Sequence, residues 1–424
     1  MKILLIDLDK DGVNFSLRCM AAGHIVKVWF PEKTEVGKGL ITIVPDWRPH
    51  MRWADLIFIT GNSKLGDALE PFYKAGYPIL GPNKLGAELE LDRCKGQEFF
   101  EANGIDTLPY EVFSDYNKAI AFVKAEKKAY VVKPWGGTAD KALSYVPPRG
   151  YEVDAMVYKL GRWKEEGLKG DFMLQECVRG TEMGVSGWFG PGGFNQWIEE
   201  DWEEKKFMSG GLGCNTGEQG TIIRHVKHSK LFDKMLKPLS DALHEIDYVG
   251  NINVNCGIVD DGKPYPYELT MRPGWPDFNL LMAVIQGDPA EWMADLLQGK
   301  DTLVMSPKVC VGVVMTHGDY PVGEQEDENS QGFPIYGITE DNENSLHPCL
   351  IRAGKDEMET AGNYPFVVTG LGDTVRSAAK KAYAICKDVK WPSNIMYRDD
   401  IGDRLEEELP ILQEHGYATG MEYE

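Results

Sequence analysis

The sequence lacks several features that would assign it to common functional classes. Basic residues are few, since 45 Lys and Arg stand against 66 Asp and Glu, and the formal net charge is -21. Nucleic acids and acidic membranes bind clustered cations, so this balance argues against both as general partners while permitting a local basic pocket. No apolar run approaches membrane-spanning length. The N-terminal segment MKILLIDLDKDG is too short and too acidic for a signal peptide.

Paired cysteine motifs are also missing. The eight cysteines form no CxxC pair and are spread along the chain. In a chain of this length, such spacing predicts reduced thiols, most of them packed in the interior, and a cytoplasmic location. A Walker A motif, GxxxxGK[ST], is absent as well, so any phosphate site must be built in another way.

The order of apolar runs and helical patterns predicts an α/β and α+β protein. KILLID, HIVKVWF, ADLIFIT and YPILG are short apolar segments separated by helical patterns, which is typical of a parallel sheet. The 424 residues suffice for two to four domains. The change in pattern along the chain predicts an N-terminal α/β domain over 1–100, a middle domain over 101–300 and a C-terminal α+β domain over 301–424. The polar, glycine-rich segment 199–221 is predicted to be loop.

The first candidate site element is VVKPWGGTADKAL, residues 131 to 143. Lys133 ends a predicted strand, and Lys141 lies beyond a glycine-containing turn. A hairpin that carries cations and backbone N–H groups suits a triphosphate. Taken alone, the stretch is more typical of a solvated hairpin.

The second element is LQECVRGTE, in which a predicted strand ends at Glu176 and Glu182 follows after a turn. One carboxylate can accept hydrogen bonds from an adenine amino group, and the other can bind ribose hydroxyls as acidic residues do in dinucleotide sites. A solvated strand end is the alternative interpretation.

The third element is YELTMRPGWPD. Glu268, Thr270 and Arg272 alternate along a predicted strand, so their side chains share one face. Asn253 and Asn255 alternate likewise on the preceding strand. Mg²⁺ binds a few carboxylates together with phosphate oxygens and water, so the two strands predict a magnesium site, with Mn²⁺ as the alternative ion. A polar outer face of an antiparallel pair remains the other interpretation.

The order of these elements resembles the ATP-grasp ligases. Further segments, including EEKKFMSGGLGCNTGEQGT, VVTGLGDTVRSAAKKAYA and YRDDIG, are similar to the phosphoribosylamine–glycine ligase (glycinamide ribonucleotide synthetase) family, in register from about residue 55 to 404. The resemblance implies an ATP-grasp fold: an N-terminal parallel α/β domain, a mobile lid subdomain at about 117–182 within the middle domain, and a C-terminal α+β domain.

The resemblance also implies residue roles. Arg93, Lys133 and Lys141 would contact the ATP phosphates. Glu176 and the backbone near Val178 would meet adenine, and Glu182 the ribose. The metal would be held by Glu268, with Thr270 and Asn255 as further donors. The remaining roles fall to substrate-binding positions, namely Gly12, Gly61, Asn215, Thr216, Gly217 and Arg272, and the last of these is expected to act in catalysis together with Lys141.

The implied reaction joins a carboxylate to an amine. The carboxylate attacks the γ-phosphate of ATP, an acyl phosphate forms, and the amine displaces phosphate to give an amide. In the family this reaction belongs to purine nucleotide biosynthesis, with glycine and phosphoribosylamine as substrates. The expected partners are therefore small molecules, and the expected assembly is a monomer or a small homo-oligomer.

Two turns depart from the family pattern. The usual GxGGREH turn is replaced by IDLDKDGVNFSLR, where Gly12 remains but Asp9 and Asp11 add negative charge, and the GPE turn reads GNS from Gly61. Both changes fall where the amine substrate should bind. They leave open a ligase that uses a different amine, such as one on another nucleotide or sugar. A non-catalytic ATP-binding regulatory protein is the alternative from another class.

Overall fold

Four parallel strands form the N-terminal sheet, in the order β2-β1-β3-β4. The computed structural model describes residues 1–62, 65–135, 144–318, 320–321 and 329–424. The elements of this region alternate along the chain: β1 (Lys2–Ile6), α1 (Val13–Ala21), β2 (Ile25–Trp29), β3 (Leu56–Ile59), α2 (Gly66–Lys74) and β4 (Ile79–Leu80). Strands β1 and β3 are almost entirely buried, and the three strand pairings are all parallel, so the predicted parallel sheet is confirmed.

Two helices connect this sheet to the next unit, α3 (Lys84–Leu91) and α4 (Arg93–Ala102). The sequence pattern suggests one continuous helix here. Asp92 separates the two, because its backbone is extended and its side chain accepts a hydrogen bond from the Cys94 N–H at 3.1 Å. This N-cap begins the helix that carries Arg93.

A small antiparallel sheet with the order β5-β7-β6 follows, and we call this unit the lid. Its elements are β5 (Tyr110–Phe113), α5 (Tyr116–Glu126), β6 (Tyr130–Pro134), α6 (Glu152–Glu165) and β7 (Phe172–Glu176). The lid has its own apolar core, which includes Val132, Leu160 and Phe172. Among the described residues that follow the lysine-containing stretch, Tyr145 forms an isolated bridge with Val132.

The largest sheet, here the central sheet, runs β15-β14-β8-β10-β13-β16-β21-β18. Its first part contains β8 (Thr181–Gly190), β9 (Gly193–Phe194), β10 (Ile198–Glu203), β13 (Gly220–Val226), β14 (Gly250–Ile258) and β15 (Pro264–Thr270). A hairpin of β11 (Lys206–Met208) and β12 (Leu212–Asn215) projects between β10 and β13. The loop prediction for segment 199–221 is therefore wrong, since strands and this hairpin occupy most of it.

Helices flank this sheet: α7 (Lys230–Met235), α8 (Ser240–Glu245), α9 (Asp277–Val284) and α10 (Glu291–Leu297). The C-terminal elements are β16 (Val309–His317), β17 (Gln331–Pro334), β18 (Leu346–Pro348), β19 (Ile351–Ala353), β20 (Met358–Ala361), β21 (Phe366–Gly372), α11 (Val375–Asp388), β22 (Ile395–Met396) and α12 (Leu405–Glu414). Since β16 pairs with β13, the C-terminal region extends the central sheet. Within the described residues, none of the helices combines the length and apolar character needed to cross a bilayer.

Candidate active site

The carboxylate of Glu268 on β15 lies among cations from three different elements. Arg93 at the start of α4 donates to its Oε2 at 3.2 Å, and the Lys205 ammonium lies 3.1 Å from its Oε1. Lys205, and then Arg93 and Lys133, hold the pKa of Glu268 far below its usual range despite burial. The structure thus brings together Arg93, Lys133 and Glu268, and it adds Lys205 to them.

Lys133 reaches from the lid to the central sheet. Its ammonium donates to the backbone carbonyl of Tyr267 at 2.6 Å and to Gln175 Oε1 at 2.8 Å. Burial, with the neighbouring positive charge of Arg93, lowers the pKa of Lys133 to about 7. A cation held by neutral oxygens and repelled by other cations is ready to accept a more negative partner, such as a phosphate group.

Asn255 and Glu268 face each other across the β14–β15 pair. The Asn255 amide donates to Glu203 Oε2 at 2.7 Å, whereas its own Oδ1 is buried without a hydrogen-bond partner. Thr270 is half-buried and lies opposite Asn253 in the same ladder. A carboxylate and an orphaned amide oxygen on adjacent strands fit a hard cation such as Mg²⁺, and Thr270 provides a further oxygen.

Lys205 is the cation that the sequence did not assign to this site. Its ammonium lies 2.5 Å from Glu203 Oε2 as well as 3.1 Å from Glu268. Burial alone would lower the pKa of Lys205, but these two carboxylates hold it well above its ordinary value. The EEKK segment, residues 203–206, contains two adjacent acids and two adjacent lysines. The sequence alone does not show which of these side chains faces Glu268, because that depends on where strand β10 ends.

Arg272 follows β15 and connects the central sheet with α3. Its Nε lies 3.3 Å from Glu90 Oε1, and the Met271 N–H donates to Glu90 Oε2 at 2.8 Å. Burial opposes the charged form of Arg272, but Glu90, Asp9 and Asp11 outweigh it and raise its pKa. The guanidinium therefore lies beside the acidic N-terminal turn.

Gly12 lies in that turn, and Gly61, which follows β3, lies beside it. The Gly12 N–H donates to the buried Asp7 Oδ2 at 2.8 Å, and burial raises the pKa of Asp7 to about 6. A Cβ at Gly61 would lie 2.3 Å from Asp9 Oδ2, so no side chain fits there without movement. The backbone donor expected to face an anion at Gly12 is thus engaged by a side chain of the protein itself.

The residues predicted to meet adenine and ribose lie where the lid joins the central sheet. Glu176 ends β7 and pairs with Lys128 at 3.0 Å. Val178 is half-buried in the connection to β8, and Glu182 is exposed near the start of that strand. All three thus border the junction from which Lys133 reaches Tyr267.

Asn215, Thr216 and Gly217 lie directly beside Lys205. The Thr216 N–H and hydroxyl both donate to the Lys205 carbonyl, at 2.8 and 2.9 Å. Asn215 and Gly217 are exposed, and Asn215 pairs with Lys206 across the hairpin. The segment therefore borders the mouth of the site around Glu268.

The YRDDIG segment anchors this hairpin from almost two hundred residues away. Arg398 donates to the Lys206 carbonyl at 3.1 Å and pairs with Glu204 at 3.0 Å. Asp400 accepts a hydrogen bond from the Gly210 N–H at 2.7 Å. The YRDDIG segment thus supports the hairpin. Lys141, which is expected to act with Arg272, lies outside the described residues.

The chain is similar in sequence to known proteins over most of its length. Residues 310–404 match the family model described as phosphoribosylglycinamide synthetase, C domain. The chain is 26% identical over 369 residues to the phosphoribosylamine–glycine ligase of Vibrio vulnificus strain YJ016, covering 79% of this chain and 80% of that protein. It is also 26% identical over 356 residues to a bifunctional purine biosynthetic protein, PUR2,5, of Pichia angusta, covering 80% of this chain and 44% of that protein.

Solved structures show the same architecture at lower sequence identity. The phosphoribosylamine–glycine ligase of Thermotoga maritima superposes with a TM-score of 0.74 at 18% identity, covering 95% of this chain and 100% of that chain. A biotin carboxylase from Campylobacter jejuni in complex with an ATP analogue has a TM-score of 0.63 at 11% identity, covering 98% and 97%. The similarity in fold therefore spans the lid, the central sheet and the C-terminal region.

Proposed function

We propose that this chain is an ATP-grasp ligase, like the phosphoribosylamine–glycine ligases that it resembles, and that it joins a carboxylate to an amine with consumption of ATP. The product is an amide, formed through an acyl phosphate with release of ADP and phosphate. The observation that carries the proposal is the position of Glu268 among Arg93, Lys133 and Lys205. Phosphoryl transfer depends on placing cations around the transferred group, and this arrangement provides them.

In this proposal the nucleotide lies between the lid and the central sheet. Arg93 and Lys133 contact its phosphates, with Lys141 as the third predicted cation. The base lies near Glu176 and Val178, and the ribose lies near Glu182. Closure of the lid would exclude water, which otherwise hydrolyses an acyl phosphate.

A magnesium ion would be held by Glu268 and Asn255, with Thr270 nearby. When bound, it would neutralise charge on the phosphates. The chain's own task is then to orient the acceptor carboxylate, which we assign to Asn215, Thr216 and Gly217 beside Lys205. Arg272 is placed to steady the acyl phosphate, since it follows the strand that carries Glu268.

Glycine and phosphoribosylamine are the leading substrate pair, as in the relatives' names. A second candidate keeps the ligase chemistry and uses another amine. This candidate is favoured by the acidic turn around Gly12. The Gly12 N–H already donates a hydrogen bond to Asp7, and Asp9 and Asp11 lie near Arg272. A sugar phosphate would meet carboxylates at this turn. For both candidates we propose a cytoplasmic enzyme that acts on small molecules.

The test is ADP release by the purified chain with ATP, Mg²⁺, glycine and phosphoribosylamine, with the amide identified by mass spectrometry. We expect Glu268→Gln to lower the rate at least ~100-fold, about 2.7 kcal/mol of transition-state stabilisation. Glu111→Gln, an exposed change on β5, is the matched control and should keep the full rate.

Two results would decide against parts of the proposal. ADP release with another acid–amine pair, but not with glycine and phosphoribosylamine, would establish the second candidate. Failure of every pair together with failure to bind ATP would refute the ligase function itself.

A further inference from the structure

A row of polar side chains crosses the face of the central sheet that also carries Asn255 and Glu268. Asp201 on β10 lies opposite Gly184 of β8, and Glu203 lies opposite Thr221 of β13. Residues that face each other in a ladder project to the same side of the sheet. Asp277, the first residue of α9, is close enough to Asp201 to repel it. This side of the sheet therefore holds an acidic pocket, which we define as Asp201, Glu218, Gln219 and Asp277.

Each member of the acidic pocket is buried. Asp201 is 0% exposed, Glu218 2%, Gln219 0% and Asp277 5%. One oxygen of each carboxylate has no hydrogen-bond partner, namely Asp201 Oδ1, Glu218 Oε1 and Asp277 Oδ1. An unpaired buried polar atom costs about 1–3 kcal/mol, so several in one place indicate a missing partner.

Gln219 gives an independent indication, because it carries no charge. Both its side-chain oxygen and its side-chain nitrogen are unpartnered. It lies between Glu218 and β13, and Thr221, two residues further on and opposite Glu203, is likewise fully buried with an unpartnered hydroxyl group. A fully buried amide with neither atom satisfied is rare in folded proteins and suits a site that a ligand completes.

Glycines make room for the carboxylates. A Cβ at Gly184 would lie 2.0 Å from Asp201 Oδ1, and a Cβ at Gly274 would lie 2.4 Å from Asp277 Oδ2. Side chains at these two positions would fill the space that the carboxylates use. Glycine at both positions therefore leaves space for the carboxylates, although these carboxylates repel one another.

The missing partner should be a cation with hydrogen-bond donors. Burial, and then repulsion from neighbouring carboxylates, raises the pKa of Asp201, Glu218 and Asp277 well above the ordinary range. Among the described residues, no three His, Cys, Asp or Glu side chains converge as a metal ion would require. A primary ammonium group can be held by two carboxyl groups and one neutral acceptor, since it offers three N–H donors at about 2.8 Å.

The pocket lies on the same face of the central sheet as Glu268, because Asp201, Gly184, Asn255 and Glu268 are successive partners across the ladders. Lys205, near enough to influence the pKa of Glu218, has a side chain that is 38% exposed, and its ammonium contacts Glu203 and Glu268. Glu218 follows directly on Gly217, which borders the mouth of the site. A ligand in the pocket would therefore reach the place where the acyl phosphate is proposed to form.

We propose that the acidic pocket binds a primary ammonium group of one of the two ligase substrates. The inference rests on the proposed function only in naming the ligand as a substrate. The ammonium belongs either to an amino-acid acceptor or to a diamine that acts as the nucleophile, and both present the same chemistry to Asp201, Glu218 and Asp277.

Calorimetric titration of the full chain tests this with two matched pairs of probes. Glycine is compared with glycolate, which lacks the ammonium group. In the second pair, 1,4-diaminobutane is compared with 4-aminobutan-1-ol, which has one ammonium group instead of two. We expect the ammonium-richer member of at least one pair to bind at least tenfold more tightly. Binding in the glycine pair identifies the acceptor as the source, and binding in the diamine pair identifies the nucleophile.

Glu218→Gln replaces the carboxyl group with an amide of nearly the same shape and should weaken that binding at least tenfold. Asp201→Asn is the second variant, and thermal melting checks that each is folded. Glu245→Gln, exposed on α8, is the matched control and should bind like the unchanged chain. Equal binding within both pairs, or unchanged binding in both folded pocket variants, would overturn the proposal.

A separate ATP titration distinguishes this inference from the proposed function. ATP binding without any preference for ammonium would reject the pocket and leave the ligase standing. Preference for ammonium without ATP binding would support the pocket and reject the ligase function.

Discussion

Lys133 illustrates how one residue couples the lid to the chemistry. In the free protein its pKa is about 7, against 10.5 for an ordinary lysine, because of burial and Arg93. Between these values the unfolded chain holds a proton that the folded chain has lost. The contribution of Lys133 to folding stability therefore rises with pH across this window.

Nucleotide binding should show the opposite trend. Phosphate charge favours the protonated ammonium, so above pH 7 binding requires uptake of a proton by Lys133. We expect ATP affinity to fall by up to ~10-fold per pH unit above 7. Calorimetry at pH 8 in buffers of different ionisation enthalpy measures the uptake directly.

The matched variants are Lys133→Met and Lys124→Met. The first should lose both the proton uptake and most of the affinity, and the second, exposed on α5, should keep both. Proton-neutral binding by the unchanged chain at pH 8 would contradict the role given to Lys133.

At the residue scale, alternation along strands was the informative signal. The pattern of Glu268 and Thr270 predicted a shared face, and their ladder partners Asn255 and Asn253 agree with it. Lys205 could not be selected, because EEKK has no periodicity that distinguishes one lysine from the next.

At the scale of elements, the hairpin of β11 and β12 depends on a partner remote in sequence. Arg398 is 3% exposed and pairs with both Glu204 and Asp400. Removing one partner of a buried ion pair leaves the others uncompensated, so Arg398→Met should cost ~3–5 kcal/mol of unfolding free energy. Chemical denaturation measures this loss.

Arg376→Met provides the comparison on α11. Its guanidinium is exposed and pairs with Glu424, so its loss should change stability by less than ~1 kcal/mol. Equal effects from the two variants would show that the Arg398 cluster does not stabilise the fold.

The structure of these elements also explains why the loop prediction for segment 199–221 is wrong. Strand β10 reads as polar because Glu199, Asp201 and Glu203 face the polar row while Glu200 pairs with Arg224 on the other side at 2.6 Å. A strand that buries carboxylates on both faces has no apolar alternation to detect. Buried carboxylates such as Asp201 of the acidic pocket therefore remove the apolar alternation by which β10 could have been predicted.

At the scale of the whole molecule, the lid and the remainder have separate cores. Leu160 belongs to the lid core and Leu280 to the main core, which joins residues of the N-terminal sheet, the central sheet and the C-terminal region. Leu160→Ala should cost ~2–5 kcal/mol within the lid. Hydrogen exchange should accelerate at β6 and β7 while β14 keeps its protection.

Leu280→Ala is the matched variant, since both leucines are fully buried. It should accelerate exchange across the central sheet. If Leu160→Ala exposed β14 as much as β7, the lid would not be an independent unit.

The number and order of units could be predicted from the sequence more readily than their edges. The small sheet spans 110–176, against the predicted 117–182. The proposed boundary at 300 precedes β16, which pairs directly with β13. Pairing between strands far apart in sequence leaves no compositional mark, so the sequence shows a break where the sheet is continuous.

The lid begins and ends on neighbouring strands. The Glu176 N–H donates to the Pro109 carbonyl at 2.8 Å, and β5 pairs with β7 from Tyr110 to Phe113. The rest of the chain therefore meets the lid as a single point of attachment rather than as two. In genetic terms the lid is a cassette: a gene could gain, lose or exchange it at one locus, and a short linker would rejoin the remaining chain.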